Sequence, residues 1–101
     1  MKENNKYALI TGASSGIGKE MAFIFAEKNY NLILVSRNET ELNKIKDKLS
    51  DKVNVVVIAM DLSNSNSGQI LYNKVNELGL DVNFLVNNAG FGLFGKSTEF
   101  P

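Results

Sequence analysis

The stretch Thr11-Gly12-Ala13-Ser14-Ser15-Gly16-Ile17-Gly18 decides the fold of this 101-residue chain. The apolar, β-prone run Tyr7–Thr11 predicts a buried strand that leads into it. The first glycine permits a tight turn, the second lets the backbone approach a pyrophosphate, and the third allows close helix-on-strand packing. Together with the helix predicted after it, the stretch indicates a nucleotide-binding turn, while a plain structural turn is the alternative from the glycines alone.

The helix after this turn is predicted over residues 16–28 from apolar spacing. Ile17, Met21 and Ile24 recur at helical intervals, with small and aromatic residues beside them. The free N–H groups at its start would face a bound pyrophosphate. A P-loop does not fit the same residues, because Gly18-Lys19 is followed by Glu20 and Ala13 stands five positions before Gly18.

The rest of the chain alternates strands with helices. Continuous apolar runs predict strands at residues 32–35, 53–60 and 82–86, and helical spacing predicts a helix at 39–50 and another that stops at Gly79. Strands of this kind are typical of a parallel sheet covered by helices on both faces, joined by right-handed crossovers. The sequence therefore predicts an α/β fold with a parallel sheet.

Ser36-Arg37 follows the second predicted strand, eighteen residues after Gly18. Dinucleotide folds that choose NAD place an acidic residue near this position, whereas an arginine accommodates the 2′-phosphate of NADP. Arg37 is the only arginine of the sequence. The pair indicates a preference for NADP, with a solvated arginine at a strand end as the alternative.

Two further motifs follow the third and fourth predicted strands. The Asp61 carboxylate could accept from an adenine amino group while the backbone at Leu62 meets the ring, although the same residues could simply begin a turn. Asn87-Asn88-Ala89-Gly90 has small side chains that would let the backbone lie against a ribose, and in isolation it would be interpreted as a turn. Ligands of open α/β sheets collect at the carboxyl ends of the strands, where all these motifs lie.

Composition excludes several other functions. The sequence has no cysteine and no histidine, so thiolate chemistry, Ser-His pairs and the commonest metal ligand are ruled out, and no metal site is expected. The sequence has 11 Lys and Arg residues and 11 Asp and Glu residues, so it has no net charge that would attract nucleic acid or an anionic membrane surface. No apolar run exceeds six residues and the N-terminus lacks a signal-peptide pattern, so we expect a cytoplasmic protein with small-molecule partners.

The ordered set Thr-Gly-x-x-x-Gly-Ile-Gly, Asp-Leu and Asn-Asn-Ala-Gly resembles the classical short-chain dehydrogenases/reductases from about Lys6 onward. The resemblance implies a doubly wound Rossmann-type sheet, here with about four strands and three helices, and hydride transfer between NADP(H), less readily NAD(H), and a small alcohol or carbonyl compound. It places Ser14 and Ser15 near the adenosine phosphate and Ile17 toward the nicotinamide, and it makes Thr11 and Asn87 structural. The residues that it assigns to the cofactor are Gly12, Ser14, Ser15, Gly16, Ile17, Gly18, Ser36, Arg37, Asp61, Leu62, Asn88, Ala89 and Gly90.

The family's catalytic Tyr-x-x-x-Lys motif has no counterpart in this sequence. The residues four positions after Tyr7, Tyr30 and Tyr72 are Thr11, Leu34 and Asn76. We therefore assign no catalytic residue and expect a single cofactor-binding half-domain over residues 1–101 that belongs to a longer enzyme and is inactive alone. A non-catalytic nucleotide-sensing half-domain is the alternative, and a methyltransferase is disfavoured by the missing acid after the second strand and by Asn-Asn-Ala-Gly.

A strand order of 3-2-1-4 would leave residues 82–86 at a sheet edge. This strand contains neither proline nor lysine, and Phe91, Leu93, Phe94 and Phe100 follow it. We expect two copies to pair their fourth strands antiparallel, which gives a homo-oligomer. The alternative is that the tail covers its own edge and leaves a monomer.

Overall fold

The computed structural model describes residues 6–63 and 65–88 of the chain. Strands and helices alternate along it in the order β1 (Tyr7–Thr11), α1 (Gly16–Glu27), β2 (Asn31–Ser36), α2 (Glu39–Leu49), β3 (Val55–Ala59), α3 (Ser67–Glu77) and β4 (Val82–Asn87). The predicted elements are all present. Most of their bounds move by one or two residues.

The four strands form one parallel sheet in the order β3-β2-β1-β4. The two inner strands, β1 and β2, are buried on both faces, in agreement with their continuous apolar sequences. The chain adds β2 and then β3 on one side of β1. It then crosses over and adds β4 on the other side of β1. The predicted doubly wound α/β fold and its strand order are confirmed.

Helices cover the two faces of the sheet. On one face, α1 and α2 pack on the sheet through a cluster that includes Ala22, Ala26, Leu42 and Ile45. On the other face, α3 packs through Leu71 and Val75. The sheet is therefore the middle of three layers, with an apolar core on each side.

The buried face of α1 differs from the face that apolar spacing marked. The helix buries Gly18, Ala22 and Ala26, whereas Ile17 and Ile24 are 70% and 46% exposed. At Gly18 a Cβ atom would collide with the Gly12 carbonyl, so α1 lies close against the end of β1 at this point. The spacing rule predicted the helix, and of the apolar residues at that spacing Met21 packs partly buried against the core.

Two element boundaries differ for local reasons. Val53 was predicted to start the third strand, but its N–H donates to the Leu49 carbonyl at 3.1 Å and β3 begins at Val55. The polar composition of residues 61–68 predicts a loop, but Ser67 and Gly68 are both buried in the first turn of α3.

In the described part of the chain, β4 pairs with β1 and has no second neighbour. Phe84 of this strand is 48% exposed and contacts Phe25 and Tyr30 at ring-centroid distances of 5.4 Å. The aromatic and apolar residues at positions 91, 93, 94 and 100 lie outside the described residues, so pairing of β4 edges between copies stays a prediction. No helix among the described residues has the length and apolar character to cross a membrane.

Candidate cofactor-binding site

The turn between β1 and α1 is closely packed. Gly12 and Gly16 have left-handed backbone angles, with φ of +60° and +58°. A Cβ atom at Gly18 would collide with the Gly12 carbonyl oxygen and would lie 2.9 Å from Nδ2 of Asn88. Gly12 and Gly18 therefore perform the turn and packing roles that the sequence assigned to them. The open space beside Gly16 agrees with its predicted role as the point of ligand approach.

Side chains from the end of β4 hold this turn in place. Nδ2 of Asn88 donates to the Gly12 carbonyl at 3.3 Å, and Oγ1 of Thr11 donates to Oδ1 of Asn87 at 3.2 Å. The structural role predicted for Thr11 and Asn87 is confirmed, because their hydrogen bond joins the end of β1 to the end of β4. Asn88 has a structural contact that the sequence did not reveal, and its contact with a ribose stays a prediction. Ala89 and Gly90 lie outside the described residues.

The start of α1 is open toward the carboxyl edge of the sheet. Ser15 is the N-cap residue with an extended backbone, and its side chain makes no capping hydrogen bond. The first turn of the helix contains no acidic residue, so its N–H groups and its positive dipole end are presented without a competing carboxylate. Ile17 is exposed next to them, on the surface of the turn. This arrangement suits an anionic group such as a pyrophosphate.

Ser36 connects three segments of the site. Its Oγ donates to Oγ of Ser14 at 2.8 Å and accepts from the N–H of Asn38 at 3.1 Å. The glycine turn, the end of β2 and the start of α2 are thus tied to one hydroxyl group. The sequence placed Ser14 and Ser36 in the same site but did not predict their direct contact.

Two adjoining cavities share Ser36 and Arg37 in their walls. The first has a volume of about 300 Å³ and is lined by Gly12, Ser36, Arg37, Met60, Asp61, Leu62 and Ser63. The second is more open, about 770 Å³, and is lined by Ser14, Ser36, Arg37, Asn38, Glu39 and Thr40. The structure therefore brings residues from the predicted motifs after β1, β2 and β3 to one place. No motif marked five of the lining residues, although each is within three residues of one: Met60, Ser63, Asn38, Glu39 and Thr40.

Asp61 stands at the mouth of the first cavity. Its Oδ1 accepts from the N–H of Ser63 at 2.9 Å, and this hydrogen bond, with a smaller contribution from the Arg37 charge, lowers the pKa of Asp61 below its usual value. The carboxylate is exposed and ionised at neutral pH, while Leu62 beside it is buried in the apolar cluster under α3. Asp61 can accept a hydrogen bond from a ligand in the cavity. Among the described residues no group of three acidic side chains could hold a metal ion.

Curated relatives with high sequence identity are named very-long-chain 3-oxoacyl-CoA reductases. The protein of Phaeosphaeria nodorum is 46% identical over 90 residues, which cover 83% of this chain and 26% of the relative. The protein of Kluyveromyces lactis is 40% identical over 104 residues, which cover 99% of this chain and 28% of the relative. The chain spans about a quarter of the length of these relatives.

Solved structures with the same fold include two that hold a nicotinamide cofactor. A short-chain dehydrogenase from Sphingobium yanoikuyae in complex with NADPH has a TM-score of 0.71 and 34% identity, with 86% of this chain and 35% of that chain covered. A metagenomic short-chain oxidoreductase in complex with NADP has a TM-score of 0.78 and 28% identity, covering 88% and 41%. The sequence model of the short chain dehydrogenase family matches residues 6–101. By this match the chain belongs to the short-chain dehydrogenases, an enzyme family that binds NAD(P).

Proposed function

We propose that this chain is the cofactor-binding part of an NADP(H)-dependent reductase that acts on the carbonyl group of a small molecule. The observation that carries the proposal is the position of Ser36 and Arg37 between two cavities at the carboxyl edge of the sheet. An exposed guanidinium at this point attracts a phosphate, and the serine beside it adds no negative charge. The residue types favour NADP(H) over NAD(H).

Three parts of the cofactor have a candidate surface among the described residues. The start of α1 would receive the pyrophosphate, the first cavity would receive the adenine against Asp61 and Leu62, and Arg37 would receive the phosphate on the adenosine ribose. NADPH, when bound, supplies the hydride that reduces a carbonyl. The residues of this chain bind and orient that cofactor.

The substrate class in the proposal comes from the relatives. Proteins with 40–46% identity are named 3-oxoacyl-CoA reductases, so the parent enzyme is proposed to reduce a ketone, with a 3-oxoacyl thioester as the first compound to try. Residues 6–63 and 65–88 supply the fold and the candidate cofactor site, and substrate selection in this fold depends on the residues grafted around that site.

None of the three tyrosines lines either cavity. Tyr7 is buried at the amino end of β1, Tyr30 lies just before β2 and contacts Phe25 and Phe84, and Tyr72 lies on α3. The described residues therefore place no tyrosine as a proton donor beside the site. We expect the 101-residue chain to bind the cofactor weakly and to reduce no carbonyl compound. A nucleotide-binding module without catalysis would show the same two properties.

Titration calorimetry with NADPH and NADH tests the cofactor preference. A charge-assisted hydrogen bond to a phosphate contributes roughly 1.5–3 kcal/mol, so we expect NADPH to bind about tenfold or more tightly than NADH. The Arg37→Asp variant should reverse this order, since a carboxylate repels the phosphate and accepts from the ribose hydroxyl of NADH.

Lys28→Asp is the matched control, because it makes the same charge change at the C-cap of α1, at the opposite end of the helix from the site. Its NADPH to NADH ratio should equal that of the unmodified chain. Equal affinity for the two cofactors in the unmodified protein would contradict the proposal.

A further inference from the structure

Ser67 belongs to none of the sequence motifs, and it contacts the backbone of Asp61 in the candidate adenine site. The residue is 2% exposed, and its hydroxyl donates to the backbone carbonyl of Asp61 at 3.0 Å. The bond closes the loop between β3 and α3 at its two ends. Ser63 and Ser65, on the same loop, are exposed.

The result is that Asp61 is held at both its backbone and its side chain. Ser67 fixes the carbonyl, and the N–H of Ser63 fixes Oδ1. Leu62, the next residue, is buried in the cluster that contains Leu71 and Val75 of α3. The Asp61 side chain as a whole is exposed, and it lines the first cavity.

We propose that Ser67 is a positioning residue that sets the Asp61 carboxylate for recognition of the adenine 6-amino group. The inference rests on the proposed function, because it assumes that the adenosine half of the cofactor occupies the first cavity. A hydrogen bond weakens steeply when its angle or length departs from the favoured range, so a small displacement of the Asp61 backbone is enough to lose it. An interaction held by a preorganised group also avoids the cost of ordering the loop on binding.

Two nucleotide probes isolate this interaction. Adenosine 2′,5′-bisphosphate carries the adenine amino group, and the 2′,5′-bisphosphate of purine riboside lacks it and is otherwise the same. We expect the unmodified chain to bind the adenine probe about tenfold more tightly, as one hydrogen bond to a charged acceptor allows. Ser67→Ala should reduce this ratio to about two- or threefold, with the affinity for the purine probe unchanged.

Three further variants separate positioning from simple stabilisation. Ser67→Thr retains the hydroxyl and should retain the ratio, and Ser65→Ala removes a hydroxyl from an exposed position of the same loop and should also retain it. Asp61→Asn alters an exposed side chain and should lower the ratio by itself. In the Asp61→Asn background, Ser67→Ala should then have no further effect on the ratio.

The outcomes distinguish the two proposals. If Ser67→Ala keeps the tenfold ratio while its melting temperature falls, Ser67 is only structural and this inference is overturned, whereas the proposed function stands. If Ser67→Ala lowers the ratio equally with and without the Asp61 carboxylate, the inference is also overturned. If the unmodified chain binds neither probe, the proposed function fails and the inference fails with it.

Discussion

The two halves of the candidate site are built in different ways. Around the glycine turn, backbone and side-chain atoms of β1, α1 and β4 are in van der Waals contact, and a Cβ atom at Gly18 has no space. Around Ser36, Arg37 and Asp61 the walls are exposed and open, and they are held by single hydrogen bonds. The first half has no room for a side chain at Gly18, while the second can change its side chains without a change in the fold.

This difference suggests a division of roles. The glycine half is the turn of residues 12–18 together with the ends of β1 and β4 that contact it. Its atoms support both the sheet and the cofactor site, so substitutions there change stability and binding together. The adenosine half is the part of the site around Ser36, Arg37 and Asp61. Its functional side chains lie on the surface, so substitutions there change which ligand is preferred. Fold and cofactor preference can then be altered separately.

The largest effect is expected at Gly18. A Cβ atom would collide with the Gly12 carbonyl, which is backbone of the turn, and would come within 2.9 Å of Nδ2 of Asn88, which donates a hydrogen bond to that carbonyl, so neither can move freely. Gly18→Ala should destabilise the chain by about 3 kcal/mol or more, at the upper end of the range for overpacking. The melting temperature should fall by more than about 10 °C in differential scanning calorimetry.

Gly79→Ala is the control for this substitution. Gly79 follows α3, has φ of +69°, and has no atom within 4 Å of a Cβ. The added methyl group has no steric clash, so the substitution should lower the free energy of unfolding only by the conformational cost of a left-handed backbone, about 1–2 kcal/mol. A Gly18→Ala variant that is as stable as Gly79→Ala would show that the glycine half is not closely packed.

An intermediate effect is expected at Gly16. Like Gly79 it has a left-handed φ, here +58°, and open space around its Cβ position, so Gly16→Ala and Gly79→Ala should lose similar stability. The open space at Gly16 is where the pyrophosphate is expected, so only this variant should also lose affinity for NADPH, by about tenfold or more. Titration of both variants with NADPH checks this. Equal affinities for NADPH would show that the pyrophosphate does not bind at the glycine turn.

The same contrast explains which features the sequence could predict. The glycine turn was predictable because it depends on backbone geometry, which a short motif specifies directly, whereas the strand order and the structural role of Thr11 and Asn87 followed from the family resemblance. The exposure of Ile17 and Ile24 was not predictable from spacing, because apolar periodicity selects large residues, whereas the small residues Ala22 and Ala26 are the ones that α1 buries. The contacts of Ser36 with Ser14 and of Ser67 with Asp61 join residues 22 and 6 positions apart, and no local pattern marks them.

The smallest effect is expected from the titration of Asp61, and it belongs to the adenosine half because the glycine turn, residues 12–18, contains no ionisable side chain. The N–H of Ser63, and to a lesser degree the charge of Arg37, lower the pKa of Asp61 in the folded chain. A lowered pKa means that the folded state favours the ionised form. This contribution to stability is complete above the pKa of the unfolded chain, about 3.9 for an aspartate, and is lost as the pH falls through the lower folded value.

Melting temperatures of the unmodified chain and of Asp61→Asn, measured between about pH 6 and pH 2, test this sign. The unmodified chain should be the more stable above about pH 4, and the two curves should converge at lower pH as the carboxylate is protonated.

Glu27→Gln supplies a comparison far from the site, because the Lys52 ammonium, 2.9 Å from the Glu27 carboxylate, lowers the pKa of Glu27 through an exposed ion pair. Salt should weaken the Glu27 effect by screening, and should weaken the Asp61 effect less, since a backbone N–H is its main cause. Parallel curves for Asp61→Asn and the unmodified chain would mean that Ser63 does not hold the Asp61 carboxylate in solution, and the adenosine half would then be less ordered than its hydrogen bonds indicate.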